Sequence, residues 1–215
     1  DSDLIMTEML QTQRADALKT IPNIDKSDTT SGLIYGGTDI NGEYYFMVEL
    51  SFSFDEKGKM VGDYREILST LELYPNVPIG IVIKPKNYAL ADVYLALDEV
   101  KKFIRQFPTQ FPIFYDMETL FAQEEYENDS YVEKNNYTMM KAFLEKAEYN
   151  GMFVGIAGSE ETFKKYEKYF KNDGEQKLYE TTDKLLYGPQ SEGGKYNMYK
   201  INDSYKSSLK DYKNI

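Results

Sequence analysis

The sequence contains no cysteine, no histidine and no tryptophan. Without cysteine there are no disulfides, thiol nucleophiles, iron–sulfur clusters or thiolate zinc sites. Without histidine, imidazole-based triads, imidazole-ligated metals and imidazole proton shuttles are excluded. Acid–base chemistry near neutral pH must therefore come from Asp, Glu, Lys or Tyr with displaced pKa values. No run of eighteen or more apolar residues occurs, so no membrane-spanning helix is expected. Glycine motifs that cradle phosphate and acidic calcium loops are also missing, and no cofactor or metal is implied. Gly36-Gly37 and Gly193-Gly194 are isolated pairs that read as turns.

The chain has 215 residues, 41% of them apolar, with 20 Tyr and 12 Phe. That suffices for a packed core and is too apolar for a disordered chain. The formal net charge is −11, which opposes binding to nucleic acid or to an anionic membrane surface. The lysines at 164–165 and 206–213 are interleaved with acids and read as solvated faces. No signal peptide is read at Asp1-Ser2-Asp3, and a chain trimmed of an export signal would read the same way.

Residues 1–30 read as an amphipathic flanking segment, helical and then loop-like, and residues 31–215 as a single α/β domain. Strand and helix patterns alternate through the domain. Leu33-Ile34-Tyr35, residues 44–54, residues 79–83, residues 111–117 and residues 152–157 suit strands. Helical spacing occurs at Tyr64, Ile67, Leu68 and Leu71, over 90–107, over 131–149, and at Phe163, Tyr166 and Phe170 behind a Ser159 cap. After Phe170 no further helix is expected; residues 184–187 and 196–201 read as short strands. Repeated strand–helix units predict parallel strands joined by crossovers, as a doubly wound sheet or as a barrel.

The informative segment is Phe111-Pro112-Ile113-Phe114-Tyr115-Asp116-Met117-Glu118. An apolar strand runs directly into two acids, and residues two apart on a strand share a face. Asp116 and Glu118 are thus expected together at the C-terminal end of a buried parallel strand, where barrel enzymes carry their active sites. Crowding predicts that one of the two carboxyls has a raised pKa. Glycosidic cleavage uses such a pair, one acid to protonate the leaving oxygen and one carboxylate to stabilise.

This strand resembles the Asp-x-Glu strand of glycoside hydrolase family 25, the lysozyme-like muramidases. The segments around it agree in order: Asn76-Val-Pro-Ile-Gly-Ile-Val-Ile83, Glu148-Tyr-Asn-Gly-Met-Phe-Val-Gly-Ile156, Leu185-Leu-Tyr-Gly188 and Asn197-Met-Tyr-Lys200. The resemblance implies an irregular TIM-like (β/α) barrel with fewer helices in its C-terminal third. It implies Glu118 as proton donor and Asp116 as the group that positions an N-acetyl group or stabilises charge. It also implies a peptidoglycan or other N-acetylated glycan as partner, met outside the cell or at its surface. Tyr115 would stack or hydrogen-bond beside the acids, and Tyr187 or Tyr199 would stack on sugar in place of Trp.

The family's opening Asp-x-Ser strand has no counterpart; Asp39 is the nearest acid to a first strand. Of the family's late acid, only Asp183 stands near. Glu49 interrupts the apolar run Phe46-Met47-Val48 and Leu50. A solvated, edge-facing Glu49 is the expectation, and an inward Glu49 replacing the missing acid is the alternative. Beside the hydrolase stands a second reading, a non-catalytic barrel that binds cell-wall glycan or a protein.

Overall fold

The computed structural model of the chain describes residues 29–38, 42–85, 90–109, 111–118, 130–187 and 195–197. The expectations for residues 1–28, Asp39 and Tyr199 lie outside these residues.

Seven strands form one sheet in chain order: β1 (Ser31–Thr38), β2 (Tyr44–Ser51), β3 (Ile79–Ile83), β4 (Ile113–Asp116), β5 (Val154–Gly158), β6 (Asp183–Tyr187) and β7 (Tyr196–Asn197). The five helices among the described residues are α1 (Arg65–Glu72), α2 (Leu90–Gln106), α3 (Ser130–Tyr149), α4 (Glu160–Asn172) and α5 (Gln176–Thr181). Strands β2 to β6 are parallel, while β1 and β7 run antiparallel to their neighbours. Among the described residues the strands pair in strict chain order, without the reversal point of a doubly wound sheet.

Period-two alternation divides each strand between two apolar layers. Val48, Leu50, Ile81, Ile83, Ile113 and Ile156 face outward and pack under Leu71, Leu97, Met140 and Phe170 of α1 to α4. The opposite face gathers Tyr45, Met47, Val82, Phe114, Ala157 and Leu185 into a second cluster with Phe111 and Tyr196. Tyr196 belongs to the last strand, yet its carbonyl accepts from the Tyr45 hydroxyl of β2 at 3.2 Å, and its ring meets Tyr35 of β1 edge-on at 5.7 Å. The sheet therefore curls until its last strand touches its first two.

Local chemistry sets the helix limits. Ser159 Oγ accepts from Thr162 N at 3.2 Å and caps α4, and Phe163, Tyr166 and Phe170 form its buried stripe, as expected. Gly151, at φ 75°, ends α3 in a conformation that side chains resist. Two expectations need correction. The helices do not stop at Phe170: α5 follows, one short segment with no fully buried residue and hence no readable periodicity. The first strand is not part of the parallel repeat: β1 pairs with β2 as an antiparallel hairpin, and the repeat begins at β2. No helix among the described residues is long and apolar enough to cross a membrane.

Gly155 marks where the inner layer is tightest. A Cβ there would lie 2.5 Å from the Asp183 carbonyl oxygen and 2.8 Å from the Phe114 ring. Backbone cannot yield as a flexible side chain can, so Gly155→Ala should force β5 and β6 apart. A loss of about 1–3 kcal/mol in urea unfolding is expected, and an unchanged midpoint would contradict this packing.

Candidate active site at the C-terminal ends of the strands

The inner face turns polar toward the C-terminal ends of the parallel strands. Glu49 of β2 faces inward and is 4% exposed, so the solvated reading of this residue is overturned. Its register explains this: Tyr45, Met47 and Glu49 alternate on the side that the last strand covers. The carboxylate accepts from the Tyr196 hydroxyl and, at 2.9 Å, from Lys195 Nζ, and it pairs with Lys84 Nζ at 3.3 Å. Burial alone would raise its pKa, but Tyr196, Lys195 and Lys84 together outweigh burial and hold Glu49 below the ordinary carboxylate range.

Asp116 ends β4, one ladder step beyond the Ile83–Tyr115 pair, and so stands level with Lys84. It is completely buried. Its Oδ1 accepts from Glu118 N at 2.9 Å, while Oδ2 is sealed off without a partner in hydrogen-bonding geometry. Burial pushes Asp116 up to about 6; the nearby Tyr187 hydroxyl, Lys84, the Glu118 amide and Lys195 oppose this without cancelling it. One carboxyl of the pair is thus raised, as crowding suggested, but the first cause is desolvation rather than the neighbouring acid.

Glu118 lies beyond the strand, because β4 stops at Asp116 and the Asp116–Glu118 hydrogen bond turns the chain. Its Oε1 accepts from Ser159 N at 2.6 Å and from Thr162 Oγ1 at 2.8 Å, at the N-terminus of α4. Strand alternation therefore does not carry through to Glu118; the two acids instead share Tyr187 as a neighbour. Burial first, then Asp116 and Glu118, drive the Tyr187 hydroxyl well above its ordinary pKa.

The other expected residues divide. Tyr187 of β6 lies in the site, its ring meeting Tyr196 at 5.5 Å. Tyr115 does not. It points into the helix layer, where its ring packs on Phe143 at 5.3 Å and its hydroxyl donates to Asn136 Oδ1 at 3.3 Å. This is the alternation rule applied to Asp116: an adjacent residue must face the other way. Asp183 is also misplaced, since it opens β6 at the N-terminal ends of the parallel strands, beside Gly155. Tyr199 is outside the described residues.

Sequence reasoning missed Lys84, Lys195, Tyr196 and Tyr35. Lys84 carried a usable signal, because it follows the apolar strand Ile79–Ile83 as Asp116 follows its own. Lys195 and Tyr196 carried none, and their place follows only from the curl of the sheet. Among the described residues no group of three or more acidic side chains could hold a metal ion. No family model matches the chain, and no similar protein or solved structure was found.

The buried Asp116 couples the site to stability. Its carboxyl titrates near 3.8 when unfolded and near 6 when folded, so between these values only the folded state holds the proton. The stability contributed is fully present below about 4 and is lost as pH rises through about 6. At pH 8, Asp116→Asn should therefore exceed the wild type by roughly 2–3 kcal/mol. The gap should close toward pH 4 in paired urea titrations; a gap that ignores pH would contradict the buried, raised carboxyl.

Proposed function

We propose that the protein is a glycoside hydrolase built on an irregular (β/α) barrel, acting on peptidoglycan or a related N-acetylated glycan outside the cell. The observation that carries this reading is the pair Asp116 and Glu118 at the C-terminal end of a central parallel strand, with the tyrosine rings of β6 and β7 nearby. The chain-order sheet, curled so that β7 meets β1 and β2, supports the barrel. The resemblance to the muramidase strand supports the substrate class.

Within this reading the two acids take different parts. Glu118 is only partly buried, and the hydrogen bonds that fix it use Oε1. Oε2 is the atom that can meet a glycosidic oxygen and deliver a proton. Asp116 sits behind it, and in its ionised form would stabilise the positive charge that develops on the sugar. The barrel-wall tyrosine Tyr187 offers a face for stacking. Complete burial of Asp116 favours the second reading, a barrel that binds glycan without cutting it, because a sealed carboxyl does not itself touch substrate.

Digestion of purified peptidoglycan, with mass spectrometry of released fragments, tests both. Fragments ending in reducing muramic acid are expected from the wild type. Glu118→Gln should lower their release by about 10²–10⁴-fold while the fold is kept. Because Asp116 takes up a proton as pH falls through about 6, kcat/KM should fall below that pH, and Asp116→Asn should remove this limb. Folded wild type that releases nothing at any pH overturns the hydrolase and leaves the binding role.

A further inference from the structure

Lys195 is held in an unusual way for a lysine that is partly open to water. Its ammonium lies 4.8 Å from the ring centroid of Tyr187, 5.3 Å from Tyr196 and 5.7 Å from Tyr35. The rings brace one another edge-on, Tyr35 against Tyr196 at 89° and Tyr187 against Tyr196 at 73°. Glu49 Oε2 accepts from the ammonium at 2.9 Å. Three aromatic faces and one buried carboxylate are what selective binding of an organic ammonium requires. The walls are contributed by β1, β6 and β7 and the carboxylate by β2, so four strands build the seat and Lys195 reaches it from the residue before β7.

We propose that this cage is a ligand subsite for an ammonium group, with the Lys195 side chain as its resting occupant, and that the ligand is a glycan carrying free amino groups. The proposal rests on the glycan reading of the site and narrows it from N-acetylated sugar to sugar with exposed amines. Three observations support the choice. The Lys195 side chain is 23% exposed, and its long flexible stem lets the head swing into water without moving the strand. When it leaves, Glu49 keeps Lys84 and the Tyr196 hydroxyl but loses a donor on Oε2, which an incoming ammonium replaces. The net charge of −11 draws a cationic glycan and repels an anionic one. The seat also adjoins the acids, since Tyr187 borders both the cage and Asp116.

The test is calorimetric titration of the whole chain with glucosamine tetrasaccharide and, separately, N-acetylglucosamine tetrasaccharide, at a pH where the amines are charged. The wild type is expected to prefer the amine-bearing glycan by about tenfold. Lys195→Ala empties the seat and should bind it about tenfold tighter again, with the N-acetylated affinity unchanged. Lys195→Met, which keeps the stem, replaces the alanine variant if circular dichroism shows that variant unfolded. Tyr35→Leu removes a wall without altering charge, and should lose the preference that mere attraction between an acidic chain and a polycation would keep. Equal binding of the two glycans, no gain in a folded Lys195 variant, or an undiminished preference in Tyr35→Leu overturns the proposal. Cleavage of N-acetylated glycan without amine preference would keep the hydrolase and remove the seat; amine-selective binding without cleavage would do the reverse.

Discussion

Carrying Glu49 into the interior of the curled sheet is the constraint on which the rest of the site depends. An unpaired carboxylate at that depth would cost several kcal/mol. The structure offsets this with two ammonium groups and one hydroxyl, and the origins of these donors matter more than their number. Lys84 follows β3, while Tyr196 opens the last strand and Lys195 immediately precedes it. Neutralising one residue of β2 therefore requires the far edge of the sheet to come around to it. The Tyr45 hydroxyl bond to the Tyr196 carbonyl repeats the same link nearer the start of β2. Burial of Tyr45, Met47 and Phe114 favours a closed inner face without direction; the Glu49 cluster specifies which strand closes it.

The same interior gives two carboxyls opposite fates. Both are buried, so desolvation pushes both pKa values upward. Glu49 has three side-chain donors and ends below its ordinary range, whereas Asp116 has one backbone amide, the Tyr187 hydroxyl and two lysines that pair with Glu49. The cationic groups pair directly with Glu49, whereas on Asp116 they act only at longer range. A carboxyl poised near 6 is therefore a product of burial that its donors do not cancel, rather than of crowding with Glu118. The arrangement stores a stability cost at neutral pH, which is the usual mark of a site shaped for something other than folding.

Much of this was legible from the chain. The continuous apolar run Ile79–Ile83 and the long 3.6-residue stripe of Leu90–Gln106 gave their elements almost to the residue, because the strand is buried throughout and the helix keeps one buried face from Ala91 to Ile104. The apolar strand running into Asp116 marked the right place in the fold. Legibility failed where local pattern stops being the deciding force. Tyr115 was assigned to the site by nearness in sequence, although alternation puts it on the other face. Asp183 was assigned by proximity to a strand without asking which end of the sheet that strand begins. Glu49 looked solvated because an acid in an apolar run usually is, and its burial depends on partners 35 and 146 residues away in the chain. Such long-range pairing leaves no periodic trace.

Strand order does not select a chemistry. Right-handed crossovers in sequence produce chain-order parallel sheets for many unrelated activities, and what they guarantee is only that the C-terminal ends of the strands arrive together. What stands at those ends decides the rest. Here β2 supplies an acid, β3 a lysine, β4 an acid, and β6 and β7 tyrosines. The two lysines set this site apart from a simple carboxylate pair, since they leave a neutralised carboxylate on one wall and a poised one on the next. A ligand entering between them meets aromatic faces, one exchangeable cation and one half-buried acid. Those features favour a polyhydroxylated or amine-bearing ring over a phosphate or a free metal ion, since a phosphate would face three carboxyls and a metal ion two ammonium groups.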